Sequence, residues 1–541
     1  MNTNPAIAVQ AVQSLKSLDL LVLVCYLASL LLLGTILERF IKKTEDMFAA
    51  GGKSPWWLSG ISAYMTMFSS GTFVVWGGIA YLGGMVAVSI CATLGVSALI
   101  AGMTIATKWK DTGVSSAADF IRSRYGNGAV HTYTWLGMIV RVFGSAVALY
   151  SIAVIVCALI HIPEAGTDAP LWLKFANFFR DNQTGCFSVP TAIVLIGIVI
   201  LVISGNLWAV LITDGLQFVV LSFSVITVIP LLLNQESVGG VAGFWEAARQ
   251  TPSLFIRNGT IEHLPGETML SPTSGPFTCF FLAGWIIIHC FKIGGEWAFV
   301  QRFVCVPNRS DARKTGLLFG ILYLLSPVIW MLPPMVYRIM QPVTREMSTS
   351  QISAMAEQAY MLACASVLPA GLVGLLLAAM LSATISMVDS EVNVYAGAIT
   401  RDIYAKITHR ENDEEHLLKV GHFFTLLIGL TVIAVAVCIP AMGGAQNVIL
   451  TITGLFVGPL VLPTIWGLFS KNIRASAVYI TIAVGGISSA VLKYGLSNVE
   501  FIILNNRAME VAVGIIPPML TLLILEIIGR RNGQCKVNQS Y

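Results

Sequence analysis

The stretch GLLLAAMLSATISMVDSEVNVYAGAITRDIY, residues 374–404, opens as an apolar run suited to lipid and then departs from one. It sets Ser382, Ser386, Asp389, Ser390 and Asn393 where an anchoring helix would carry leucines. Steps of four, three, one and three residues keep these five near one side of a helix. An acid and several hydroxyls inside a bilayer need a partner, and a cation is the most economical one.

The rest of the chain extends this reading. With 56% hydrophobic and only 11% charged residues, and a mean hydropathy of +0.79, the composition is that of a polytopic membrane protein in one bundle over residues 1–541. Apolar windows of about 20 residues, the length that crosses a hydrocarbon core, recur near 17–38, 55–83, 84–107, 129–160, 188–206, 208–234, 275–305, 313–341, 368–405, 417–440, 443–470, 475–497 and 510–528. About thirteen all-α spans are therefore expected. Placing the N-terminus outside gathers most basic residues, among them Arg39, Lys42, Lys43, Arg309, Lys314 and Arg410, at the inner face. The positive-inside rule thus gives an N-out, C-in topology.

Several function classes lose support. The net charge of +4 reflects the inner-face bias and offers nothing for nucleic acid. Gly52-Lys53-Ser54 imitates the end of a phosphate loop, but the glycine required five residues earlier is Met47, so an ATP-driven pump is not expected. The cysteines form no CxxC pair and read as small apolar fillers. No arrangement of nucleophile and base or of metal ligands suggests an enzyme. A cleavable signal is not expected, since residues 1–16 lack an apolar core. Asn182-Gln183-Thr184 and Asn258-Gly259-Thr260 match the glycosylation sequon on expected outer loops.

Two spans carry interruptions. The second contains Met67-Phe68-Ser69-Ser70-Gly71-Thr72 and then Gly77-Gly78, a composition that suits either a locally unwound helix or close helix packing. The seventh is interrupted at Gly294-Gly295, with His289, Lys292 and Glu296 on adjoining parts of one face. Lys292 and Glu296 read as an i,i+4 pair or as groups facing a ligand. Interruptions five spans apart fit an inverted five-helix repeat (5+5), with its units at 55–234 and 275–470. A leading peripheral helix at 17–38 and two trailing helices at 475–528 flank them.

Asp214 is a lone intramembrane acid, either functional or satisfied by Thr213 and Gln217. Arg141 reads either as a receptor for an anionic solute group or as the partner of an internal acid such as Glu391. The outer segments 235–270 and 350–367 suggest a partial lid, while 410–419 is a solvated charge cluster and the tail after Arg531 is short and polar.

TEDMFAAGGKSPWW, RSRYG, WAVLITDGLQ, VQRFVCVPNRSDARK, the stretch 374–404 and GPLVLPTIWGLFSKN occur in an order that resembles the sodium:solute symporter family. The resemblance implies an inverted-repeat transporter that imports a small polar solute with sodium by alternating access. It implies sodium contacts at the carbonyls of Met65, Phe68 and Ala383 and the hydroxyl of Ser386. The second hydroxyl position is Met387, whose thioether suits a hard cation poorly. A second sodium site known in some members corresponds to Asp214, Ser386, Asp389 and Ser390. Asp389 stands there in place of a hydroxyl, so the cation site shifts toward Asp214 and Asp389, or Asp389 couples protons, or it pairs with a base. The shifted site is the expectation. Solute positions implied near the breaks are Met67, Ser69, Thr72, Lys292, Glu296, Trp297, Gln446 and Asn447, with Arg141 added for a carboxylate. The expected solute is a sugar, a polyol or a small carboxylate such as a sugar acid, handled by a monomer in the plasma membrane, or the inner membrane of a bacterium. Proton coupling on the same fold, and a non-transporting sensor, are the alternatives.

Overall fold

The computed structural model describes residues 15–38, 52–114, 116–160, 162–166, 169–181, 186–202, 207–257, 259–344, 346–409, 413–496 and 498–531. Arg39, Lys42, Lys43 and Met47, the sequon residues Asn182-Gln183-Thr184 and Asn258, Arg410 and the polar tail lie outside the described residues.

Every expected apolar window contains a helix. The principal ones are α1 (Ser17–Glu38), α2 (Trp56–Thr66), α3 (Gly77–Gly83), α4 (Met85–Asp111), α5 (Asn127–Leu159), α6 (Val189–Val202) and α7 (Leu207–Leu233). They continue with α8 (Cys279–Gly295), α9 (Trp297–Val304), α10 (Arg309–Met340), α11 (Thr349–Val367), α12 (Leu372–Gly397), α13 (Glu414–Cys438), α14 (Gly444–Phe469), α15 (Ser476–Ala490) and α16 (Asn506–Arg531). Nine described helices are long and apolar enough to cross a membrane, or ten if the bent pair α8 and α9 is one span. The outer segment after α7 also holds an antiparallel hairpin, β1 (Phe255–Arg257) and β2 (Thr260–Glu262).

Apolar residues cover both sides of these helices. On α7, Leu216, Val219, Phe223 and Ile226 recur at helical spacing and are exposed, a stripe that lipid tolerates and water does not. The inward faces sort the helices into two sets. The first comprises α2, α3, α4, α8, α9 and α10, and the second α5, α6, α12 and α13, with α7 packed against α2, α10 and α12. Within the first set α4 and α10 approach closely enough that a Cβ on Gly102 would lie 2.8 Å from the Gly316 carbonyl carbon. Small residues permit such contact where lipid offers no hydrophobic driving force.

The leading helix α1 packs against α12. Asp19, 3% exposed, accepts the backbone N–H groups of Gly371 at 2.7 Å and Gly374 at 3.0 Å on its Oδ1, and so caps the start of α12. Gly374 is required there, because a Cβ would meet the Asp19 carbonyl oxygen at 2.2 Å. Asp19→Ala is expected to remove about 1–2 kcal/mol of stability, read as a lower melting temperature in detergent. Asp19→Asn retains the acceptor oxygen and should recover most of the loss.

Candidate functional site

Both interrupted spans are broken. α2 ends at Thr66, and the chain resumes as a π-helical turn, Thr72–Trp76, that runs into α3. The hydroxyls of the break serve its own backbone. The Gly71 N–H donates to Ser69 Oγ at 3.2 Å and the Ser69 N–H to Thr72 Oγ1 at 3.4 Å. The Ser70 N–H reaches Thr384 Oγ1 of α12 at 3.0 Å, and Ser70 Oγ donates to the Ala148 carbonyl of α5 at 2.7 Å. The break's own hydroxyls and the Thr384 side chain of the second helix set thus replace hydrogen bonds that lipid cannot provide. α8 and α9 meet at 58°, with Glu296 extended between them. Gly294 and Gly295 do not form the break itself. They admit neighbours, since Cβ atoms there would lie 2.5 Å from Ile105 and 2.4 Å from Val461.

Between the sets lies a small cavity. Three acids, Asp214, Glu296 and Glu391, and two guanidiniums, Arg141 and Arg302, line it. Arg141 of α5 pairs with both Glu296 and Glu391, the latter at 2.5 Å, and Ser145 donates to the other Glu391 oxygen at 2.6 Å. Asp214 of α7, 4% exposed, accepts from Ser62 of α2 at 2.6 Å on Oδ2 and from Ser386 of α12 at 3.3 Å on Oδ1. Arg302 Nη2 stands 4.0 Å from Asp214 Oδ2. Trp297 and Tyr395 stack in the wall at 5.9 Å with ring planes 17° apart.

The structure gathers only part of the expected site. Met65, Asp214, Ala383, Ser386 and Ser390 line this one cavity with Arg141, Glu296 and Trp297, and Met387 lines it too. Phe68 does not; its ring packs with Tyr64, Phe73 and Trp330. Met67, Ser69 and Thr72 are likewise absent from the cavity wall, Ser69 and Thr72 being occupied at the break. Gln446 lines a separate cavity of about 510 Å³ with Arg257 and Arg507, and Asn447 accepts from Arg507 at 2.8 Å.

The expected sharing of a cation by Asp214 and Asp389 is not the geometry found. Asp389 lines a different cavity, of about 360 Å³, with Leu149, Gly197, Thr425 and Val432, and accepts from Asn393 at 2.8 Å. Successive helix residues turn by about 100°, so the five polar residues of α12 form an arc broad enough for its edges to face different neighbours. The pairings expected elsewhere also resolve. Glu296 joins Arg141 instead of Lys292, Arg141 holds Glu391, and Gln217 donates to Ser382 at 2.5 Å instead of serving Asp214. The Lys292 ammonium makes no ion pair or hydrogen bond among the described residues, and Lys292 does not line the cavity.

Ser62, Ser145, Arg302 and Tyr395 were not anticipated. Arg302 had a usable signal, since it is an arginine within the apolar run WAFVQRFV. Ser62 and Ser145 had none beyond being serines in apolar helices.

The sodium:solute symporter family profile matches residues 176–485. This chain belongs to that family. Among curated relatives of this family member, the sodium/myo-inositol cotransporter 2 of Oryctolagus cuniculus is 26% identical over 505 residues, covering 87% of this chain and 69% of that protein. An uncharacterized symporter, YidK, of Escherichia coli (strain K12) is 23% identical over 80% of this chain and 71% of its own. A solved Na+-coupled sialic acid symporter superposes with a TM-score of 0.70 at 19% identity, covering 95% of this chain and 98% of that one. Mhp1, a nucleobase-cation-symport-1 family transporter, gives 0.53 at 13% identity over 92% and 98%. The family member therefore has the inverted-repeat transporter fold and is a multi-pass membrane protein.

Arg141 is the most heavily paired group in the cavity. The double variant Glu296→Gln/Glu391→Gln leaves it part-buried without a counter-charge and is expected to cost up to about 3 kcal/mol. Either single variant should cost less. Thermal melting of the three purified proteins in detergent checks the order.

Proposed function

We propose that the chain is a secondary active transporter that imports a small polar solute, coupled to sodium by alternating access of one membrane-embedded monomer. The observation that carries this reading is Asp214, a buried carboxylate bridged to both helix sets by Ser62 and Ser386. It lines one cavity with Met65, Ala383 and Ser390. Oxygen donors around a carboxylate suit a hard monovalent cation, and Met387 in the same wall does not contribute one. The repeat units proposed are 55–234 and 275–470. The orientation given by the basic residues puts the end of α9 on the cytoplasmic side, where Lys110 and Ser54 bond it at Val304 and Cys305. The plasma membrane, or the inner membrane of a bacterium, is the proposed location. One sodium ion crossing 100 mV contributes about 2.3 kcal/mol, roughly a fiftyfold solute gradient.

A sugar or polyol is the favoured solute class. Stacked Trp297 and Tyr395 offer apolar ring faces, and Glu296 and Glu391 offer hydroxyl acceptors beside them. Arg141 is already held by two carboxylates, so a carboxylate solute would have to displace one. The names of the myo-inositol relative and of a sodium/glucose cotransporter 4 of Danio rerio, 23% identical, point the same way. A small carboxylate is the second reading, supported by the two guanidiniums, Arg141 and Arg302, in the cavity wall.

Proteoliposomes with imposed gradients test the proposal, using labelled glucose, myo-inositol and glucuronate. Sodium-driven accumulation of one of the first two is expected. Uptake driven equally well by a proton gradient without sodium would sink sodium coupling, and saturable binding with no uptake under either gradient would indicate a sensor. Asp214→Asn should raise the half-saturating sodium concentration by about tenfold or more, with Ser386→Ala smaller in the same direction. Asp389→Ala, in the other cavity, should leave sodium activation unchanged.

A further inference from the structure

The two arginines of the cavity are held in opposite ways. Arg141 is bonded to two carboxylates. Arg302, 3% exposed, faces one carboxylate without closing on it. Its Nη1 donates to the Ala298 carbonyl at 3.1 Å and to Gln301 Oε1 at 3.2 Å, which fixes the guanidinium on its own helix, α9. Its Nε donates to Ser62 Oγ at 3.3 Å, and the same hydroxyl gives its proton to Asp214 at 2.6 Å. Ser62 therefore stands between cation and anion. Direct arginine–carboxylate pairs close to about 2.7–2.9 Å and are often bidentate, whereas Nη2 here stops at 4.0 Å.

We propose that Arg302 is a tethered competitor for the coupling ion: through the Ser62 hydroxyl it shares Asp214 with sodium and so sets how tightly sodium is held. This rests on the reading of Asp214 as a sodium ligand. A bound sodium ion on the Ser386 side of the carboxylate faces a like charge on the Ser62 side. In water the repulsion would be minor, but it counts in a buried site. A direct pair would lock Asp214 as Glu391 is locked, and no arginine would leave a site that binds sodium but releases it slowly. The serine spacer gives the intermediate case. Arg302 is thus a positioning residue for ion affinity, anchored on the half-helix beyond the break.

Sodium titration of the purified full chain, followed by thermal shift and by tryptophan fluorescence, tests this apart from transport. Arg302→Gln should lower half-saturating sodium by about tenfold, and in proteoliposomes it should turn over more slowly. Arg302→Lys retains the charge and should stay near wild type. Ser62→Ala removes the spacer, lets the guanidinium close on Asp214, and should raise half-saturating sodium by about tenfold. Suppose Asp214→Asn loses the sodium response while neither Arg302→Gln nor Ser62→Ala moves it in the stated direction. The inference is then overturned and the sodium site stands. An intact response in Asp214→Asn overturns the site itself. Should Arg302→Gln fail to fold, the lysine and Ser62 variants decide.

Discussion

A helix broken inside a bilayer leaves backbone N–H and C=O groups that lipid cannot satisfy, so protein must supply the partners. Much of this bundle's interior follows from that constraint. The break after Thr66 is closed by its own Ser69 and Thr72 and by Thr384 from the opposing helix set. At the second break Trp109 donates its indole N–H to the Gly294 carbonyl at 2.6 Å, and Gly294 and Gly295 bring α4 and α14 close enough to seal the backbone. Each repair uses a side chain from another helix. The breaks therefore tie the helices together where they create the cavity.

Charge is handled by the same rule. A buried ion is costly unless paired, and a lost partner costs more than the pair contributed. Arg141 joins α5 to Glu391 of α12 and to Glu296 at the break between α8 and α9, so one guanidinium links the two helix sets. Asp214 links α7 to α2 and α12 through hydroxyls alone, with Arg302 held at a distance. In the first arrangement the guanidinium has two counter-charges in contact, and in the second the carboxylate has one, held at 4.0 Å. That difference is what the proposed sodium site at Asp214 rests on.

Much of the architecture was legible in the residues. Apolar windows placed the spans, because crossing a hydrocarbon core demands a fixed length of apolar helix. Both interruptions were visible as serine and glycine clusters, although the second break falls at Glu296, just past the glycines. The site was less legible. Asp214, Ser386, Glu296 and Arg141 stood out as polar groups in apolar surroundings, and they do meet in one cavity. Asp389 stood out equally and does not join them, because the helix on which it shares an arc with Ser386 has different neighbours on its two edges.

The sequence by itself determined that this chain lives in a membrane, where its helices run and which two spans carry interruptions, since each depends on local composition set against the solvent. Which acid meets which base was decided by the tertiary structure alone. Arg141 had several acids within the chain to choose from, and Ser62 carried no mark distinguishing it from a packing serine. The polar stretch on α12 shows both sides of this. Its hydroxyls announced a functional helix, but only the packing of α5, α6 and α13 against one edge and α7 against the other divided it into a wall for the cavity and a wall facing away.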